Sequence, residues 1–272
     1  MTAIAPAPAP ARDLVTMTRR SLTRMWRYPS LTVMLVAMPV VLLLLFVYVF
    51  GGAIGAGVGT GAAPGAAGRA AYLDYISPAI LVLTASAVAQ ATSINVAMDM
   101  TGGVVTRLRT MPVAPVAVLG GHVVGALVQT LLAGAVVLGA AVLLGDRPGA
   151  GPGDWLALVG FFTLLAFTLT WLTVAMGVSA RSVESASNTP MVLLLLPFLS
   201  SGFVPVETMP AALRWFTEHQ PFTPVNETVR GLLAGGAVDM PTVLSAVAWC
   251  VGLASVGWAL ARRSYRRPRP IG

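Results

Sequence analysis

The chain of 272 residues is 56% hydrophobic and only 10% charged, whereas soluble domains typically carry about 25% charged residues. Its net charge of +7 rests on 17 basic residues, every one an arginine, against 10 acidic ones. With a single cysteine, Cys250, set in an apolar stretch, the composition excludes a water-soluble globular domain, a disulfide framework and a cysteine-rich metal site.

Residues 1–10 read as a disordered N-terminus, and 11–272 as one all-α integral membrane domain. From Ala11 to Tyr28 the segment ARDLVTMTRRSLTRMWRY sets Leu14, Val15, Met17, Leu22, Met25 and Trp26 among arginines, which predicts an N-terminal interfacial amphipathic helix. About 20 apolar residues cross a hydrocarbon core of about 30 Å, and on that measure six transmembrane helices follow. They are expected near 31–50, 76–98, 116–144, 155–179, 188–204 and 241–261. Pro39 and Pro197 fall inside spans, where a membrane helix tolerates them. The first span is too long for the apolar core of a secretory leader. The connections GGAIGAGVGTGAAPGAAG and GDRPGAGPGD are rich in glycine and proline and read as turns, with no soluble domain between spans.

Orientation follows from the arginines, because short cytoplasmic loops hold an excess of positive charge. With both termini inside, the inner segments hold thirteen arginines against three acidic residues, a net of +10, and the outer segments four against seven, a net of −3. The expected location is the inner membrane of a bacterium, multi-pass, both termini cytoplasmic. The arginine-rich tail after Ala261 reads as a stop-transfer anchor and not as a nucleic-acid binding segment.

Absences narrow the function. No span carries an acidic or basic residue near its middle, which argues against ion-driven transport. Without a lysine, the phosphate-contacting position of a P-loop cannot be filled, so the chain binds no ATP that way. His122 and His219 fall on opposite sides of the membrane in this topology, which leaves no two-histidine metal site and no catalytic set; an enzyme is not expected. The intramembrane polar residues Gln90, Ser93, Asn95, Gln129 and Asn188 either join helices through hydrogen bonds or line a substrate route.

Two loops carry more information. In the inner loop DMTGGVVTRLRTMPVAP, Gly102 and Gly103 break the preceding helix, and Val104, Val105 and Leu108 alternate with Arg107 and Arg109 up to Pro112. A short amphipathic helix there offers an apolar and cationic face to another protein, or else to lipid headgroups. In the outer loop SSGFVPVETMPAALRWFTEHQPFTPVNETVRGLLAGG, Pro210 and Pro224 suit the first position of short helices, Pro221 separates them, and Leu213, Trp215 and Phe216 would sit in the outer interface. The N-x-T match at Asn226 reads as accidental.

These residues carry a resemblance. Gly103, Arg107, Leu108, Arg109, Met111 and Pro112 form a G-x-x-x-R-x-R-x-x-P segment, and Ser201, Gly202, Phe203, Pro205, Met209, Pro210, Trp215, Pro221, Phe222, Thr223, Glu227, Arg230 and Gly231 follow in order. The whole chain resembles ABC-2 permeases of ATP-driven exporters, in the branch of daunorubicin-resistance-type efflux proteins. Gln220 departs from the usual asparagine before the proline, and Ala114–Pro115 from a common Ser-Arg pair. The resemblance implies a dimer of permeases, identical or not, with separate ATPase subunits that bind ATP and magnesium, no cofactor being held by this chain. Gly103, Val104, Val105, Arg107, Leu108, Arg109 and Pro112 would be the ATPase-coupling segment. Gly202, Phe203, Pro205, Pro210, Trp215, Pro221, Glu227 and Arg230 would form outer re-entrant helices closing the exit. The substrate would be a hydrophobic or amphipathic compound such as a drug or antibiotic. Alternatives are export of a lipid or lipid-linked glycan within the same family, and a channel or scaffold that uses the inner loop only for lipid.

Overall fold

The computed structural model of the chain describes residues 10–54, 65–102, 115–236 and 238–266, and these are helices joined by turns. Helix α1 runs Pro10–Arg27 and α2 Pro29–Leu45; α2 continues through a π-helical turn, Phe46–Phe50, into the short α3, Gly51–Ile54. Then come α4 (Ala66–Thr101), α5 (Pro115–Leu143), α6 (Pro152–Ser179), α7 (Val183–Asn188), α8 (Met191–Leu195), α9 (Ala211–His219), α10 (Phe222–Ala234) and α11 (Met240–Arg266).

Among the described residues, five stretches are long and apolar enough to cross a membrane: Thr32–Phe50, Ala67–Thr101, Ala117–Leu143, Pro152–Ser179 and Met240–Tyr265. They coincide with the expected first, second, third, fourth and sixth spans. The expected fifth, 188–204, differs. It is a composite of α7, α8 and a 3-10 turn at Leu196–Leu199, a shorter apolar stretch over Val183–Leu199. Pro190 starts α8 and Pro197 lies in the 3-10 turn, each lacking the N–H that a continuous helix would use at that point.

Helix α4 is the axis of the bundle. At 36 residues and 1.5 Å per residue it is about 54 Å long, more than the hydrocarbon core. Of its most apolar stretch 72% is buried, against 17% for α2 and 22% for α11. It packs against α6, which in turn packs against α11. Helices of equal greasiness to lipid gain little from apolar burial alone, so small residues that let backbones approach decide where they meet. Gly177 of α6 sits at Ser93 and Val96 of α4, and Gly257 of α11 sits at Trp171 and Leu172 of α6. Large apolar side chains are exposed on the outside of the bundle, among them Val33, Met34, Val41 and Tyr48 on α2 and Leu244, Val251 and Val256 on α11.

Four buried hydroxyls of α4 are satisfied within the helix, whereas Ser93 Oγ, Thr130 Oγ1, Thr170 Oγ1 and Trp171 Nε1 have no partner among the described residues. The hydroxyls of Ser77, Thr84, Ser86 and Thr92 each donate to the carbonyl four residues earlier on α4, so the helix carries them through an apolar medium without orphaned donors.

Helix α1 is amphipathic as read from its sequence, and its inner face is tied to protein. Leu14, Met17 and Ser21 lie against Gly120, Gly121 and Gly125 of α5, where a glycine stripe replaces side chains that would hold the helices apart.

Candidate functional site

Two polar constellations interrupt the apolar bundle, one at each end of α4. The first surrounds the turn Ser200–Gly202, where the composite span ends. Tyr75 of α4 donates its hydroxyl to the Ser201 carbonyl at 2.6 Å, and Arg230 of α10 donates to the same oxygen at 3.0 Å. The Arg230 guanidinium also lies over the Tyr75 ring, 4.1 Å from its centroid. Asn226 donates to Ser200 Oγ at 2.8 Å, and the Gly202 N–H donates to that oxygen at 3.2 Å. Gly202 is wedged between Ala79 and Asn226, where a Cβ would lie 2.7 Å from the Ala79 methyl.

The segment before the turn is held from α9 and from the residue that follows it. Thr217 and Gln220 both donate to the Leu199 carbonyl, at 2.8 and 2.7 Å. Gln220 thus supplies an amide donor at the position where the resembling family has asparagine. Phe203 is stacked on Phe198 at 4.6 Å and meets Phe46 at 5.4 Å. The apolar face of α10, with Phe222, Val225, Val229 and Leu233, seals the assembly between α4, α6 and α11. Gln220 Oε1, Asn226 Oδ1 and Arg230 Nε have no hydrogen-bond partner among the described residues. The turn is therefore clamped by directional bonds, while part of the buried polar surface beside it stays unpaired.

Of the outer residues read from the sequence, Gly202, Phe203 and Arg230 come together here. Pro205 precedes a 3-10 turn at Val206–Thr208, Pro210 precedes α9, and Pro221 precedes α10. Trp215 is exposed and stacked on His219 at 4.9 Å, and Glu227, though exposed on α10, faces Ser201 and Arg230 of the turn. Tyr75, Ser200, Gln220 and Asn226 were not singled out from the sequence as part of this site. Asn226 carried a signal: it is the amide on an α10 face otherwise made of Phe222, Val225 and Val229, and it is fully buried.

Arg230 is the cation of this network, and hydrogen bonds from charged groups contribute about 1.5–3 kcal/mol. Arg230→Met is expected to lower the stability of the purified chain by about 2 kcal/mol, read as a lower midpoint in chemical unfolding. Glu218→Gln, on the exposed face of α9, should change it by less than about 0.5 kcal/mol.

The second constellation lies at the opposite end of α4. Arg20 of α1 contacts both carboxylate oxygens of Asp99, each at 2.9 Å. Arg24 stands 3.7 Å from Oδ1, and His122 Nε2 of α5 is 3.2 Å from Oδ2. The Asp99 side chain is 8% exposed, His122 12%, Arg24 32% and Arg20 40%, so the carboxylate is the floor and the arginines are the rim. They line a small open cleft together with Thr92, Asn95 and Gln129.

The intramembrane polar residues read from the sequence divide between faces. Asn95 and Gln129 meet in this cleft. Gln90 donates to the Ser187 carbonyl at 3.1 Å, near Asn188, which is exposed at the end of α7. Ser93 is buried at the contact of α4 with α6. Gly103, Val104, Val105, Arg107, Leu108, Arg109 and Pro112 lie outside the described residues. No group of three or more metal-ligating side chains occurs among the described residues.

Comparison with known proteins places this architecture. The chain is 31% identical, over 97% of its length and 92% of the relative's, to a daunorubicin resistance ABC transporter permease of Streptomyces coeruleorubidus. It is 24% identical, over 64% of its length and 63% of the relative's, to a probable doxorubicin resistance ABC transporter permease of Mycobacterium tuberculosis. Residues 12–234, from α1 to the end of α10, match the ABC-2 type transporter family throughout, and the chain, a multi-pass membrane protein, belongs to that family.

Proposed function

We propose that this chain is the permease subunit of an ATP-driven exporter that moves hydrophobic or amphipathic compounds, in the class of drugs and antibiotics, out of a bacterial cell. The observation that carries the reading is the 31% identity to a drug resistance permease along 97% of the chain. Spans without fixed charge near their middle suit such a substrate. ATP and magnesium belong to a separate ATPase subunit, docked on the inner loop 103–112, and a second permease copy, identical or related, completes the route. The composite stretch Val183–Leu199 serves as the fifth of six spans, α9 and α10 dip back from the outer side, and the Ser200–Gly202 turn closes the exit. Both termini lie in the cytoplasm.

The test is co-purification of the tagged chain with an ATPase subunit, followed by ATP hydrolysis measured across a panel of amphipathic compounds in reconstituted vesicles. Hydrolysis is expected to rise with a subset of compounds that are also transported. The chain purified alone is expected to hydrolyse no ATP, because it has no lysine for a phosphate-binding loop. Failure to capture an ATPase, or hydrolysis by the lone chain, would overturn the assignment.

Topology has its own measurement. In a Cys250→Ser background, cysteines placed at Gly59 and Gly151 should react with an impermeant thiol reagent in intact cells, and one at Thr106 only after permeabilisation. The reverse pattern would refute the six-span arrangement.

A further inference from the structure

The cleft at the inner cluster has a chemistry that the export reading does not use. Its only carboxylate among the described residues is saturated: Arg20 takes both Asp99 oxygens, and Arg24 and His122 approach one each. A cationic ligand would have to displace these partners. Donors, by contrast, are in surplus. Arg24 is held loosely, 3.7 Å from Asp99 and 3.8 Å from the Met98 sulfur. The half-buried amides of Asn95 and Gln129 make no side-chain hydrogen bond among the described residues, though both line the cleft. Two arginines against one aspartate leave the rim positive, so the ligand that fits is an anion with several acceptor oxygens.

Position and surroundings narrow the source of that anion. Asp99 is two residues from the end of α4, in a helix that crosses the membrane, so the cleft lies at the level of the headgroups. Above it, Gly125, Gln129, Leu132 and Val136 share one face of α5, spaced four, three and four residues apart. Leu132 and Val136 are 53% and 51% exposed. An apolar track thus leads out of the cleft along α5 toward the hydrocarbon, which a free phosphate would not need and an acyl chain would occupy.

We propose that the cleft between α1, α4 and α5 binds the phosphate of an anionic phospholipid, with Arg24 and the outer edge of Arg20 on the phosphate oxygens, Asn95 and Gln129 donating to the headgroup's ester oxygens, and an acyl chain along Leu132 and Val136. The bound lipid ties α1 to the bundle beside the Arg20–Asp99 pair. Retention of lipid is read without transport, so it stands or falls separately from the export function.

The experiment titrates the purified full chain in detergent with phosphatidylglycerol or phosphatidylcholine and reads bound lipid by native mass spectrometry. Phosphatidylglycerol is expected to bind at least about tenfold more tightly than phosphatidylcholine, and Arg24→Gln to weaken it by about tenfold or more. Arg27→Gln removes an equal charge from the same helix outside the cleft and should weaken it by no more than the roughly fivefold expected of any arginine near an anionic surface. Gln129→Leu keeps every charge and the Arg24–Asp99 approach, and should weaken binding by about fivefold. Equal losses for Arg24→Gln and Arg27→Gln would overturn the proposal in favour of diffuse attraction to the surface. No loss in Arg24→Gln or Gln129→Leu, or equal binding of the two lipids, would overturn it as well. Displacement of phosphatidylglycerol by millimolar inorganic phosphate would overturn the lipid assignment and leave a site for free phosphate.

Discussion

Replacing Gly177 by leucine is expected to destabilise the whole membrane bundle by about 3 kcal/mol, at the upper end of what overpacking costs. At this glycine α6 crosses α4, and a Cβ would lie 3.1 Å from Val96 Cβ and 3.2 Å from the Ser93 carbonyl carbon. Part of the obstacle is main chain, so no change of side-chain rotamer relieves it, and the two helices must separate. The separation would open the contact around Val96, Val174 and Val178 and reach Ala261 and Tyr265 of α11, which pack in the same cluster. The control lies on the same helix. Gly160 has nothing within 4 Å of its Cβ position, and Gly160→Leu should not destabilise, gaining up to about 1 kcal/mol from helix propensity. Unfolding midpoints of the two variants in one detergent would measure the difference, and equal midpoints would refute the crossing as a close contact.

The largest functional effect is expected from Leu108→Asp in the inner loop. If this segment docks in a groove of the ATPase, Val104, Val105 and Leu108 face the groove and Arg107 and Arg109 its rim. An unpaired carboxylate placed in an apolar contact costs several kcal/mol, and each 1.4 kcal/mol is a factor of ten. Export should fall at least tenfold, with the ATPase lost from the complex or its hydrolysis uncoupled. Arg107→Gln should weaken assembly only modestly, since an exposed ion pair contributes about 0–1 kcal/mol. Insertion and thermal stability of the chain alone should be unchanged for both. Parental export by Leu108→Asp with the ATPase still bound would assign the loop to lipid instead.

Much of the fold was legible because crossing a bilayer is a local requirement. Twenty apolar residues span it wherever they stand in the chain, and five of six expected spans coincide with helices long enough to cross. The exception is instructive. The stretch 188–204 has the composition of a span, but Pro190 and Pro197 break its helical hydrogen bonding, and the chain turns at Ser200–Gly202 toward α9 and α10. Composition averaged over a window does not register two missing N–H groups.

Sequence by itself determined the solvent of this protein, the place of five of its apolar spans and, through its two loops, the family it resembles. These depend on sums over neighbouring residues or on short motifs. Only the tertiary structure decided which helix is central. The stretch in α2 has the higher mean hydropathy, 2.9, yet is 17% buried, whereas that in α4, at 1.6, is 72% buried. The order is inverted because lipid, unlike water, leaves apolar residues on the outside at no cost, so greasiness marks the periphery as readily as the core. Tertiary structure also decided what the polar residues mean. Arg20 and Asp99 are 79 residues apart, and Arg230 and Tyr75 155. A lone Asp99 near a span end or an Asn226 within an N-x-T triplet acquires its role from the group that folding sets opposite it, and no property of its own segment names that group.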